Sequence, residues 1–134
     1  MKRVVYANPH KRVLDEKTLP GLMQELKERA TLGFDLDSIV CDLSSSGLTL
    51  DATFQLAELL QAQTCVFALD LSLNGIKSNS WGDVCRLTRK MLDAVEYLDL
   101  SLNYFPPLHS LKDDKDAEKE LKDRLRRQQL LWGP

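Results

Sequence analysis

The stretches VFALDLSLNGI (Val66–Ile76) and VEYLDLSLNYF (Val95–Phe105) share the hexapeptide LDLSLN and begin 29 residues apart. A weaker copy, SIVCDLSSSGL (Ser38–Leu48), begins 28 residues before the first of them. Repetition at a fixed spacing indicates stacked structural units, because each unit can bury its apolar side against the next copy. The repeat therefore predicts an architecture rather than a chemical motif.

The two LDLSLN copies place apolar residues and one Asn in the same slots, whereas the weaker copy has Ser38 in the first apolar slot and Ser46 in the Asn slot. The last copy fills these slots with Val95, Leu98, Leu100, Asn103 and Phe105. The order resembles the leucine-rich repeat family, whose unit is L-x-x-L-x-L-x-x-N-x-L within 20 to 29 residues. The spacing of 28 and 29 residues resembles that of the ribonuclease-inhibitor-like members in particular. The resemblance implies an α/β fold, namely a short solenoid with parallel strands on its concave face and helices on its convex face.

Alternation within the repeat assigns each side chain to one face of a strand. Leu69 and Leu71 lie two residues apart, so both point into the core, while Asp70 and Ser72 point outwards. The Asn that follows, Asn74, is typical of a turn, where its amide can satisfy loop backbone groups. We therefore expect buried leucines, an outward face of Asp and Ser, and a turn after every strand.

The segments between the strands have helical periodicity. Residues 49–63 and 80–94 carry apolar residues at helical spacing, and Ser80 with Asp83 is typical of an N-terminal cap. A further helix is predicted after Thr18, with Pro20 in its first turn. Either RVVY or RVL, both upstream of that helix, is a candidate for the strand that precedes it.

The chain divides into three expected parts. These are an N-terminal segment with a capping helix at 1–37, the repeats at 38–107, and a charged C-terminal helix with its tail at 108–134. The last part permits two interpretations. It can fold back as a cap over the final repeat, or it can project and dock into a partner or a second copy through Leu121, Leu125, Leu130, Leu131 and Trp132.

Neither catalysis nor a bound cofactor is expected. The three cysteines, Cys41, Cys65 and Cys85, have no metal-binding or disulfide spacing, and the two histidines, His10 and His109, lie far apart in the sequence. The chain also contains no phosphate-binding loop and no nucleophile motif. We therefore predict no catalytic, cofactor-binding or metal-binding residue, and we interpret the cysteines as reduced thiols of an intracellular, cytoplasmic protein, with an organelle as the alternative.

Charge is spread unevenly around a net value of −2. Residues 18–105 carry six Lys or Arg against twelve Asp or Glu, a balance of −6. Residues 1–17 carry five against two, and residues 106–134 carry seven against six. An acidic body disfavours a nucleic-acid partner, since phosphate binding needs a cationic surface. No apolar run is long enough for a membrane span.

The outward slots of the repeats predict columns of like residues, because parallel strands stack copy upon copy. Such columns can receive a basic or helical segment of a partner. Alternatively, they are common outward residues of the repeat that face only water. With the leucines and the tryptophan of the C-terminal part, they make up the predicted partner-binding residues. That set is Asp42, Ser44, Asp70, Ser72, Leu73, Asp99, Ser101, Leu102, Leu121, Leu125 and Trp132.

These features favour a non-catalytic protein–protein interaction module, acting as an adaptor or an accessory subunit of a multiprotein complex. Two alternatives remain open at this point. The chain could be a dissociable regulator of a cytoskeletal or enzyme partner, or a microbial effector. Self-association is a further expectation, since an open end of a stacked array can pair with its own copy.

Overall fold

The computed structural model of the protein describes residues 4–7, 13–31, 39–61, 66–127 and 129–131. Strands and helices alternate along these residues, so the prediction of mixed helix and parallel strand is confirmed. The strands are β1 (Val4–Ala7), β2 (Ile39–Asp42), β3 (Val66–Asp70), β4 (Val95–Asp99) and β5 (Leu130–Leu131). The α-helices are α1 (Leu19–Thr31), α2 (Leu50–Gln61), α3 (Trp81–Leu92) and α4 (Lys115–Arg126), and a 3-10 helix spans Leu108–Asp113.

All five strands form one sheet in chain order, and each pairs in parallel with the next. The register aligns equivalent repeat slots, since Cys41 pairs with Leu69 and Leu69 with Leu98. One step of 28 or 29 residues therefore moves the chain across one strand. Leu71 and Leu100, two residues further on, are buried as the alternation predicts.

Helices α2 and α3 begin at capping residues, and both pack on the sheet. The Ser80 hydroxyl accepts a hydrogen bond from the Asp83 N–H at 3.2 Å and so caps α3. Thr49 caps α2 in the same way, with its hydroxyl 3.1 Å from the Ala52 nitrogen. The buried side chains of both helices join the sheet leucines in one core. Those of α3 are Trp81, Val84, Cys85, Leu87, Thr88 and Met91.

Of the two candidates for the first strand, RVVY is right, because β1 spans Val4–Ala7. The rival segment RVL forms no strand at its described residues. Leu14 is instead fully buried in the turn before α1, and its N–H donates to the Ser46 carbonyl oxygen at 2.7 Å.

The C-terminal part folds back onto the last repeat, as the first of the two interpretations predicts. Leu121 of α4 is 2% exposed, and α4 packs against α3. The Arg89 guanidinium of α3 donates to both carboxylate oxygens of Glu120, each at 2.9 Å. Strand β5 was not predicted: Leu130 is buried and pairs with Leu98, so this leucine does not project towards a partner.

Candidate functional site

The carboxylates of Asp42, Asp70 and Asp99, here called the acidic row, lie side by side at the ends of three strands. Asp42 pairs with Asp70, and Asp70 with Asp99, in the parallel register. Neighbouring strands are about 4.8 Å apart, so the row advances by that distance per residue. All three side chains are half-buried. The predicted Asp column therefore exists on the sheet.

Each member of the acidic row accepts hydrogen bonds from the serine two residues later. The Oδ1 atom of Asp70 lies 2.9 Å from the Ser72 nitrogen and 2.6 Å from its Oγ. The same pair of bonds recurs at the other two strand ends, with 2.6 Å to the serine Oγ each time. The hydroxyls of Ser44, Ser72 and Ser101 thus bond to carboxylates of the same chain, and Ser72 is buried.

One oxygen of each carboxylate stays outside this local network. Among the described residues, no hydrogen bond or ion pair engages the Oδ2 atoms of Asp42, Asp70 or Asp99. The acidic row therefore presents negative charge on atoms whose orientation the serines fix. A cation placed along the row would be attracted to more than one carboxylate.

The asparagines complete the turns that hold these strand ends. The Nδ2 atom of Asn74 donates to the Leu43 and Leu71 carbonyl oxygens at 3.0 and 2.9 Å, so one amide joins two successive turns. Its Oδ1 accepts from the Ser46 and Leu48 N–H groups. Asn103 makes the equivalent bonds one strand further on. This confirms the expected turn chemistry of Asn.

Two leucines of the predicted set, Leu73 and Leu102, are exposed at equivalent positions of successive turns. Leu73 is 54% and Leu102 51% exposed. Their φ angles, 57° and 59°, lie in the left-handed region that leucine seldom adopts. Ser45 has the same conformation, at 52°, in the equivalent slot. The turn therefore fixes this slot outside the core, and its occupant faces solvent in both LDLSLN copies.

A groove of about 600 Å³, here called the sheet groove, lies on the open face of the sheet next to the acidic row. Val40, Ala68 and Tyr97 form its floor and pair in register across β2, β3 and β4. The groove ends at Leu125 and Leu130, which the folded-back C-terminal part brings to the sheet. Asp70 and Asp99 also line it, so charge and apolar surface meet in one depression.

The predicted C-terminal residues differ in burial and in whether they line the sheet groove. Leu121 is buried between α4 and the repeats, whereas Leu125 is 38% exposed and lines the sheet groove. Trp132 lies outside the described residues. Of the predicted set, the groove thus brings together Asp70, Asp99 and Leu125, with Asp42 continuing the row.

Sequence reasoning missed the floor of the groove. Val40, Ala68 and Tyr97 are three different uncharged residue types, so they do not stand out as a column in the sequence. The available signal was the alternation: each lies two residues before a member of the acidic row and therefore on the same face. Tyr97, an exposed aromatic on that face, was the most visible of the three.

The surroundings of the Cys85 thiol disfavour its ionisation. Burial, followed by the charge of Glu120, raises the pKa of the Cys85 thiol to about 11, which keeps it protonated at neutral pH. Over the described ranges, which omit His10 and Cys65, no group of three His, Cys, Asp or Glu side chains could hold a metal ion. No helix in that part of the chain is both long enough and apolar enough to cross a bilayer.

No protein-family model matches the chain, and no curated protein matches it.

Proposed function

We propose that this protein is a non-catalytic protein–protein interaction module, an adaptor or accessory subunit that binds its partner on the open face of the sheet. The observation that carries the proposal is the sheet groove. It joins apolar side chains of three consecutive strands to the carboxylates of Asp70 and Asp99. Interfaces are built in this way, with an apolar centre and charge at the margin.

We further propose that the architecture is a short leucine-rich repeat solenoid. Three features support it: the strands follow chain order, they alternate with helices, and Asn74 and Asn103 join successive turns. In such an array the open strand face is the side left for a partner. The buried thiols of Cys41 and Cys85 support a reducing, cytoplasmic location.

Site-specific photocrosslinking in an extract of the native source tests the proposed face. One variant carries p-benzoylphenylalanine in place of Tyr97 in the groove. A matched variant carries it in place of Glu58, whose side chain is 67% exposed on α2. We expect the groove position to capture a defined protein that the α2 position does not capture.

A charge variant makes this test specific. Asp70→Asn/Asp99→Asn removes two charges but keeps the Oδ1 acceptors that the serines use. Capture at position 97 should fall in this background while the fold is retained. Capture of the same proteins from both positions, or capture that ignores the double variant, would contradict the proposed binding face.

A further inference from the structure

The sheet groove runs across the strands rather than along one of them. Val40, Ala68 and Tyr97 come from three successive strands at one register level. Two steps of about 4.8 Å therefore separate the first floor residue from the third. A segment that fills the groove must lie across β2, β3 and β4.

The floor of the groove offers an occupant side chains but no backbone partners. Main-chain groups at the strand ends already bond to the neighbouring strand. The Leu71 N–H donates to the Asp99 carbonyl oxygen at 2.8 Å, and the Leu43 N–H donates to the Asp70 carbonyl oxygen at 2.9 Å. An extended segment lying here would turn its own N–H and C=O groups towards Tyr97 and Leu125 without bonds, which is costly. An α-helix satisfies those groups internally.

The acidic row runs parallel to the groove and has a spacing that a helix can match. Its Asp lies two residues beyond the floor residue on each strand, or about 6.6 Å away, so a helix about 10 Å wide covers both rows. Three carboxylates span about 9.6 Å, whereas helical positions i and i+7 are about 10.5 Å apart. Alternate residues of an extended segment advance by about 6.6 Å, so three of them span about 13 Å.

We infer that the sheet groove receives one amphipathic α-helix of a protein partner, lying across β2, β3 and β4. Its apolar side rests on Tyr97, Ala68 and Leu125. Lys or Arg residues at i, i+4 and i+7 face the acidic row, where the Oδ2 atoms of Asp70 and Asp99 accept their hydrogen bonds. This inference rests on the proposed function and names the kind of partner that the groove fits. Charge complementarity selects a cationic helix, because the groove is bordered by carboxylates.

Three synthetic peptides with equal numbers of Lys and Leu test the inference on the full chain. The first is a stapled helix with Lys at i, i+4 and i+7 and Leu on the adjoining face. The second is a stapled helix in which the same Lys residues are spread around the axis. The third is unstapled and alternates Lys and Leu with the two-residue period of a strand. Chemical-shift titration of ¹⁵N-labelled protein locates the binding and gives the dissociation constants.

The first peptide should shift the amide signals of β3 and β4, including Tyr97 and Asp99, and bind roughly tenfold tighter than either of the others. Asp70→Asn/Asp99→Asn should weaken that binding roughly tenfold, equivalent to about 1.4 kcal/mol. The matched double variant Asp51→Asn/Asp113→Asn should leave the affinity unchanged, because both residues are exposed and lie outside the groove lining.

Three results would overturn the inference. Equal or tighter binding of the alternating peptide at these signals would reject the helix and leave the binding face intact. Binding of the first peptide that ignores Asp70→Asn/Asp99→Asn would reject the cationic match. If no peptide shifts the groove signals, the helical partner is rejected, and crosslinking at position 97 then decides the proposed function independently.

Discussion

The middle of the molecule and its C-terminal end join neighbouring units in different ways. Between β2, β3 and β4, buried or half-buried amides of Asn74 and Asn103 bond the backbone of two turns at once. At the C-terminal end, β5 pairs with β4, but the helices are held by side-chain contacts. Arg89 pairs with Glu120, and the Trp81 Nε1 donates to Ser110 Oγ at 2.8 Å.

The two kinds of contact differ in whether they can recur after every strand. An amide that bonds main-chain groups does not depend on the side chains around it, so the same joint can follow each strand. The joint at the end depends on particular side chains of α3, the 3-10 helix and α4, and it stops the repetition. The middle should therefore be sensitive to loss of one amide, whereas the end should depend on apolar burial more than on its ion pair.

The largest effect is expected from Asn74→Ala. The change removes the acceptor of the Ser46 and Leu48 N–H groups and the donor to the Leu43 carbonyl oxygen in a buried turn. We expect the free energy of unfolding to fall by about 3 kcal/mol, measured by urea denaturation. Asn103→Ala should cost less, because water reaches this half-buried site. A loss below about 1 kcal/mol for Asn74→Ala would show that the Asn74 amide does not hold the two successive turns together.

A smaller effect is expected at the C-terminal end from Leu121→Ala. Truncating this buried side chain should lower the free energy of unfolding by about 2 kcal/mol, because a cavity remains between α4 and α3. Leu125→Ala on the same helix is the matched control and should cost less than about 1 kcal/mol, since the side chain is 38% exposed. Equal losses in the two variants would contradict the described packing of α4.

The smallest effect is expected from Glu120→Gln. The hydrogen bond from Arg89 lowers the pKa of Glu120 below its ordinary value of 4.5, so the pair adds stability at neutral pH. The ion pair is partly exposed, so its loss should cost only about 0.5 kcal/mol. Glu58→Gln removes the ion-pair partner of Lys90. It should cost less still, because Glu58 is more exposed than Glu120.

The pH dependence of Glu120→Gln checks this assignment. A carboxyl with a lowered pKa in the folded state stabilises above its unfolded pKa and loses that contribution as the pH falls through the folded value. The stability difference between the original protein and Glu120→Gln should therefore shrink as the pH falls below 4.5. A difference that stays constant down to acid pH would contradict the pairing.

Much of the repeat region could be predicted because its signals are local. The two-residue spacing of Leu69 and Leu71 gave the buried face, and Ser80 with Asp83 gave the start of α3. These features depend on alternation and capping, which residues a few positions apart determine. The turn chemistry of Asn74 was predictable for the same reason.

The missed features depend on residues far apart in the sequence. Strand β5 has two residues and no periodicity of its own. It forms because the edge of β4 offers main-chain partners: the Leu98 N–H, for example, donates to the Gln129 carbonyl oxygen at 2.8 Å. The sheet groove needs the register of three strands and the return of Leu125. Alternation also gives a direction but no bond partner, so the bond from the Ser72 hydroxyl to Asp70 could not be predicted.

The bonds between the acidic row and its serines have a consequence for the entropy of binding. A free aspartate loses rotamer freedom when a ligand fixes it, and that loss subtracts from affinity. Asp42, Asp70 and Asp99 are already fixed through Oδ1 by the serine two residues later. Their rotamers are ordered when the chain folds, before any partner binds. Binding of a cation to Oδ2 would therefore cost little further side-chain entropy.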